Sequence, residues 1–288
     1  MAYSALDKFT APAQRSAALW QTILGVILAA VIYGVGAWAV LYAAQAFFQL
    51  PVDGGSALAA PLVLVLLFQF VFMALAVALV TRFFHRRPVS SIFGDLNRLL
   101  PDFLRMAALA LAMSVVATAL AVLILDIEWR DVTGAWIIMA LAAIPLLLIQ
   151  TGAEEMVFRG YLLQQLGARF SAKAWIAWLL LPSVIFGAAH VGPHVTGVNL
   201  AAVLAITTLF GIIAADMTAR TGSLGAAWGF HFVNNVQALL VITLAGPLSG
   251  LGLGQIAMDA NDPSALPLYL ANALGLIVLY LLWRRFHG

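Results

Sequence analysis

Glu154, Glu155 and Arg159, in the stretch AEEMVFRGYLL (153–163), are the only charged side chains between Val132 and Ala168. An ionisable group inside a membrane span costs several kcal/mol, and by default it marks function or a buried pair. Helix geometry separates the three. Glu155 and Arg159 are four apart with the acid first, so they share a face and can neutralise each other. Successive residues turn by about 100°, so Glu154 points elsewhere and is the spare carboxylate. Such a group can act as general base toward water. A structural reading, in which all three charges form a buried network that fixes helix positions, accounts for the triplet equally well when it is taken alone.

Two other stretches place polar groups at helical spacing. In VIFGAAH (184–190) Phe186 and His190 are four apart, and in GFHFVNN (229–235) so are His231 and Asn235. A lone histidine near a helix end, such as His190, is more often structural than catalytic. An imidazole and a carboxamide on one face of a lipid-embedded helix need polar company. Gly225 and Gly229 form a small-xxx-small pair that lets another helix approach this part of the chain. At about 1.5 Å per residue, Glu154, His231 and Asn235 fall near mid-bilayer. His190 falls roughly 25 Å from Lys173, too far out unless its helix tilts or kinks at Pro182.

The elements that must hold these residues follow from composition. Of 288 residues, 64% are apolar and 9% charged, against about 25% charged in soluble domains. The expectation is an all-α, polytopic membrane protein, with one integral membrane domain over 1–288. Eight runs, near 19–48, 57–81, 103–125, 134–165, 173–190, 199–219, 224–244 and 265–284, are long enough to cross a hydrocarbon core of roughly 30 Å, and lipid forces them to be helices. The first run is longer than a signal-peptide core and is expected to remain as an anchor. Arginine and lysine gather in alternate loops, around 82–105, 169–173 and 220, and at both ends. The positive-inside bias therefore puts both termini in the cytoplasm, and in a bacterial cell the membrane would be the inner or plasma membrane. Trp20, Trp129, Trp136, Trp175, Trp178 and Trp283 lie near span ends, as an interfacial belt would.

The loops suggest less. Residues 87–106 carry Ile92, Leu96, Leu99 and Phe103 at helical spacing, which predicts a short helix on the membrane surface. His85, Arg86 and Arg87 are expected to meet lipid phosphates. Basic residues spread over short loops do not suggest nucleic acid, and a chain without cysteine has no disulfide or thiolate chemistry. No internal repeat supports an inverted-repeat transporter.

Taken in order, EEMVFR, FGAAH and HFVNN match the patterns E-E-x-x-x-R, F-x-x-x-H and H-x-x-x-N. They resemble the CAAX protease and bacteriocin-processing (Abi) family of intramembrane endopeptidases, which includes the type II CAAX prenyl endopeptidases, over a core of about 130–245. The resemblance implies that Glu154 and His190 activate the attacking water and that His231 and Asn235 steady the oxyanion. Glu155, Arg159 and Phe186 would support the site. It leaves two mechanisms open, a glutamate-driven water attack and a zinc ion held by Glu154, His190 and His231 with a fourth position free for water. The partners implied are the lipid bilayer and a peptide or protein with a membrane-associated segment.

Other protease patterns fit poorly. No histidine is followed by glutamate, so the H-E-x-x-H zinc motif is missing. Asp216 is the only aspartate within a span, and Ser183 has no nucleophile context. His194, four after His190, is separated from it by Gly192 and Pro193 and is expected in an outer loop. Asn234, beside Asn235, falls outside the spacing pattern. The alternatives to a protease are a transporter or proton relay built on the same acid and histidines, and a non-catalytic immunity scaffold.

Overall fold

Apolar segments in lipid must close their own backbone hydrogen bonds, and the long runs do so as helices. The computed structural model describes residues 3–48, 60–191, 195–246, 248–259 and 261–287. His194 lies outside the described residues. The principal helices are α1 (Leu19–Phe48), α2 (Ala60–Phe84), α3 (Leu96–Ile124), α4 (Gly134–Arg169), α5 (Ile176–Ala189), α6 (Gly197–Thr221), α7 (Gly225–Val236) and α8 (Leu266–His287). Among the described residues, six of them, all but α5 and α7, are long and apolar enough to cross a membrane. Helices α5 and α7 occupy the places expected for spans five and seven, but both are shorter than the runs suggested. The outward faces of α1 and α3 are apolar and exposed, as at Val35 (64%) and Leu123 (80%).

Helix α7 stops early because its continuation, Gln237–Val241, takes a π turn and then becomes a strand. Three strands, β1 (Ile127–Trp129), β2 (Ile242–Ala245) and β3 (Gly254–Asp259), form one small sheet in the order β1-β3-β2. The β1–β3 pair is antiparallel, with Glu128 opposite Gln255, and β2–β3 is parallel, with Thr243 opposite Gln255. The purely helical expectation is corrected here. β-Branched Ile242 and Thr243 disfavour a further helical turn, and backbone groups leaving the helix find partners in the sheet.

The segment 85–95 also departs from expectation. The predicted surface helix is instead a 3₁₀ turn (Val89–Phe93), a left-handed Gly94 (φ 73°) and the start of α3, which the Asp95 side chain caps at Asn97 N–H. Ile92 is fully buried, because Gly160 has no side chain where Ile92 packs. Leu224 N–H donates to the Phe93 carbonyl and Asp95 N–H to Gly222, tying this loop to the start of α7.

His85 and Arg87 are buried too, and do not face lipid phosphates. His85 bonds Ser16 Oγ through Nδ1 (2.9 Å) and the Tyr161 hydroxyl through Nε2 (2.7 Å), while Arg87 Nη1 donates to Gln164 (2.6 Å). Arg86 between them is exposed, and its left-handed φ of 54° turns its neighbours inward. Burial, with a contribution from Arg87, holds the His85 imidazole down at about 4, below its ordinary 6.5. Between these values the unfolded chain binds a proton that the folded chain refuses. Stability from this group is therefore full above about pH 6.5 and is lost as pH falls toward 4. His85→Gln should unfold at a temperature that varies less with pH across that window than wild type. Parallel slopes for the two proteins would contradict this assignment.

Asp216 anchors both ends of the chain. It accepts from Arg220 Nε (2.6 Å), Tyr3 (2.7 Å) and Tyr280 (2.7 Å), so the N-terminal segment and α8 meet on α6. Trp178 and Trp283, placed in an interfacial belt by the sequence, are instead buried in the core. Trp178 has its indole N–H satisfied by the Ala172 carbonyl (3.2 Å).

The Gly225 and Gly229 pair does permit close approach, and its partner is α3. A methyl group at Gly225 would strike the Leu99 carbonyl, and one at Gly229 the Phe103 carbonyl. Gly229→Val should therefore push α7 off α3 and cost about 1–3 kcal/mol by overpacking, read as a drop in unfolding temperature. Wild-type stability would show that the contact yields without strain.

Candidate active site

Three helices deliver the polar side chains, and a fourth adds a ring and a carbonyl. From α4 come Gln150, Glu154, Glu155 and Arg159, from α7 His231 and Asn235, from α5 Phe186 and, at its C-cap, His190, and from α6 Phe210 and the Gly211 carbonyl. Immediately after Glu155 the α4 backbone widens into a π segment, Met156–Leu163, a local irregularity frequent at functional sites. Two close contacts fix α4 against α7. Trp228 packs where Gly152 has no side chain, and its indole N–H donates to the Leu148 carbonyl (3.1 Å).

The polar groups form one chain. Asn235 Nδ2 donates to Gln150 Oε1 (2.8 Å), and Gln150 Nε2 donates to Glu154 Oε1 (2.8 Å). Glu154 Oε2 stands 3.5 Å from His231 Nε2 and has no hydrogen-bond partner. His231 Nδ1 lies 2.8 Å from Glu155 Oε1, which also accepts from Arg159 Nη1 at 3.0 Å. An ionised carboxylate only accepts, so this ring nitrogen carries the proton. Arg159 Nη2 continues to the Gly211 carbonyl (3.5 Å).

Glu155 is fully buried and Arg159 nearly so. Desolvating two charges is repaid only with good geometry and further bonds, and both are present. The guanidinium also lies 4.5 Å over the Phe186 ring, an attraction that strengthens on desolvation.

The sequence expectations can be placed residue by residue. Glu155 and Arg159 pair as their spacing suggested. Glu154 does project apart from that pair, yet His231 reaches both carboxylates, one with each ring nitrogen. Asn235 joins through Gln150 and not directly through His231. His190 caps the end of α5, exposed, with Nδ1 on the Phe186 carbonyl (2.8 Å). Both imidazoles rest against the Phe186 ring, at centroid distances of 4.4 Å for His190 and 5.9 Å for His231. Asn234 contributes only a bond to Asn235 Oδ1 (3.3 Å).

Among the described residues, no three His, Asp or Glu side chains stand close enough to share a metal ion. Glu154 and His231 converge, but the zinc set Glu154, His190 and His231 is not assembled.

Two contributors were missed from sequence. Gln150 carried a signal, a polar residue one turn before Glu154 in an apolar run. Phe210, packed on His231 at 4.9 Å, carried none.

Comparison with known proteins turns on the stretch that contains this chain of bonds. Residues 135–237 match the family model described as type II CAAX prenyl endopeptidase Rce1-like. This stretch is similar to that family. It begins at the start of α4 and ends just past α7, so every group of the polar chain lies within it. An uncharacterized protein of Bacillus subtilis (strain 168), YyaK, is 34% identical over 103 residues, 35% of this chain. The match spans 33% of that relative's length. No solved structure matches significantly. With six apolar helices of spanning length among the described residues, the matched stretch sits in an integral membrane protein.

Proposed function

We propose that this protein is an intramembrane endopeptidase of CAAX-processing type, hydrolysing a peptide bond of a membrane-associated peptide by glutamate-activated water. The observation that carries the reading is the state of Glu154. One carboxylate oxygen is held by Gln150, while the other is unpartnered and faces His231. Glu155 also keeps Oε2 without a partner, so what sets Glu154 apart is that no guanidinium bonds it: Glu155 with Arg159 supplies the structural pair, and Glu154 is left as the spare carboxylate.

In this reading Glu154 takes the proton of the attacking water as general base. By the family resemblance His190, with Nδ1 committed to the Phe186 carbonyl, would assist the water through Nε2, and Glu154 would return the water's proton to the leaving amine as the C–N bond breaks. Asn235 has a second amide hydrogen beyond the one given to Gln150. That hydrogen would meet the oxyanion, where one aimed donor is worth about 3 kcal/mol of barrier; His231, whose Nδ1–H is held by Glu155, would donate there only with a proton on Nε2 as well. Glu155 fixes the His231 ring and Arg159 neutralises Glu155. The basic loops face the cytoplasm by the positive-inside bias, together with both termini.

Full-length protein in liposomes, given a prenylated C-terminal peptide and, separately, a leader-type peptide, should generate a new terminus in at least one. Folded protein that cuts neither would count against the reading.

A further inference from the structure

We infer that Gln150 is a positioning residue for this hydrolysis, holding the Glu154 carboxylate and the Asn235 carboxamide in one register; the inference rests on the peptidase reading. Gln150 is 6% exposed in an otherwise apolar tract, and both ends of its amide are used. The polarity of the bridge is forced. A carboxylate offers no hydrogen and an Asn Nδ2 no lone pair, so only a group that donates on one side and accepts on the other joins them.

Two consequences follow for the reacting groups. With Oε1 of Glu154 taken at 2.8 Å, the carboxylate plane is fixed and Oε2 is the oxygen left for water. With Gln150 Oε1 demanding a donor, Asn235 must turn Nδ2 inward and keep Oδ1 toward Asn234. Loss of Gln150 frees the carboxamide to flip and to offer an oxygen where the oxyanion needs N–H. The residue is well placed for the task. Thr151 Oγ1 bonds back to the Leu147 carbonyl (2.8 Å), and Trp228 clasps the same turn of α4. Gln150 acts through its two partners and needs no contact with substrate.

The test uses full-length protein in liposomes with a fluorogenic prenylated peptide. Gln150→Leu should lower kcat about tenfold or more, the worth of one charge-assisted hydrogen bond, with KM within about twofold. Adding Asn235→Ala should cost less in the Gln150→Leu background than in wild type, since the two share a bond. An unchanged kcat in folded Gln150→Leu, or strict additivity, would overturn the role of Gln150 while leaving the peptidase reading intact. No turnover by folded wild type would overturn the peptidase reading instead. The bridge itself is then read by infrared spectroscopy. The Glu154 carboxylate band, identified by its loss in Glu154→Gln, should shift in Gln150→Leu, and an unmoved band would sink the proposal without any activity. If Gln150→Leu does not fold, Gln150→Met, unbranched and similar in volume, carries the same measurements.

Discussion

Glu154→Gln is expected to lose about 10²–10⁴-fold of peptide cleavage, the usual share of a general base, while unfolding near the wild-type temperature. The substitution keeps the shape, and the new side-chain oxygen still accepts from Gln150. It also removes a charge that has no partner at Oε2, so the fold gives up little. What it cannot do is take a proton. The neighbouring Glu155→Gln should behave in the opposite way, because Glu155 serves Arg159 and His231 together. Its loss weakens the buried network first and catalysis only as a consequence. Cleavage in liposomes, read beside an unfolding curve for each variant, separates the two. Near-wild-type turnover by Glu154→Gln would place the base elsewhere.

Arg159→Met carries the largest expected loss of stability, about 3–5 kcal/mol, as for a buried ion pair broken from one side. Glu155 would remain fully buried with His231 as its only donor, and the guanidinium's contact with Phe186 would go. Arg159→Lys should restore little. A point ammonium lacks the planar face that stacks on the ring and the second nitrogen that reaches the Gly211 carbonyl. Removing both charges, as Arg159→Met with Glu155→Leu, should recover much of the loss, because the carboxylate that the guanidinium neutralised is gone with it. Thermal unfolding in a mild detergent measures all three. A double variant no better than the single would mean that the cost lies in packing instead of charge.

How far the sequence could be read depends on how local each cause is. The division of labour between Glu154 and the Glu155–Arg159 pair was legible because it follows from about 100° per residue within one helix. Gly225 and Gly229 were legible as a contact face for the same reason, although their partner, α3, was not. Asp216 looked like a stray aspartate because Tyr3, which bonds it, lies 213 positions away. Trp178 and Trp283 were assigned to the interface because hydropathy cannot distinguish a protein interior from lipid. His85 and Arg87 read as loop cations, since nothing local announced that Tyr161 and Gln164 would meet them. The sheet was missed because its strands are three to six residues long and β1 lies more than a hundred positions before the other two. Gln150 stood in plain view, and its importance emerged only when Asn235 was found on its other side.

The most direct test of the central claim is mass spectrometry of the peptide products formed by the purified full-length protein in liposomes made up in ¹⁸O-enriched water. The account predicts a new C-terminal carboxylate carrying one solvent oxygen with wild type, and almost none with Glu154→Gln. Intact peptide throughout, or equal labelling by both proteins, would contradict it.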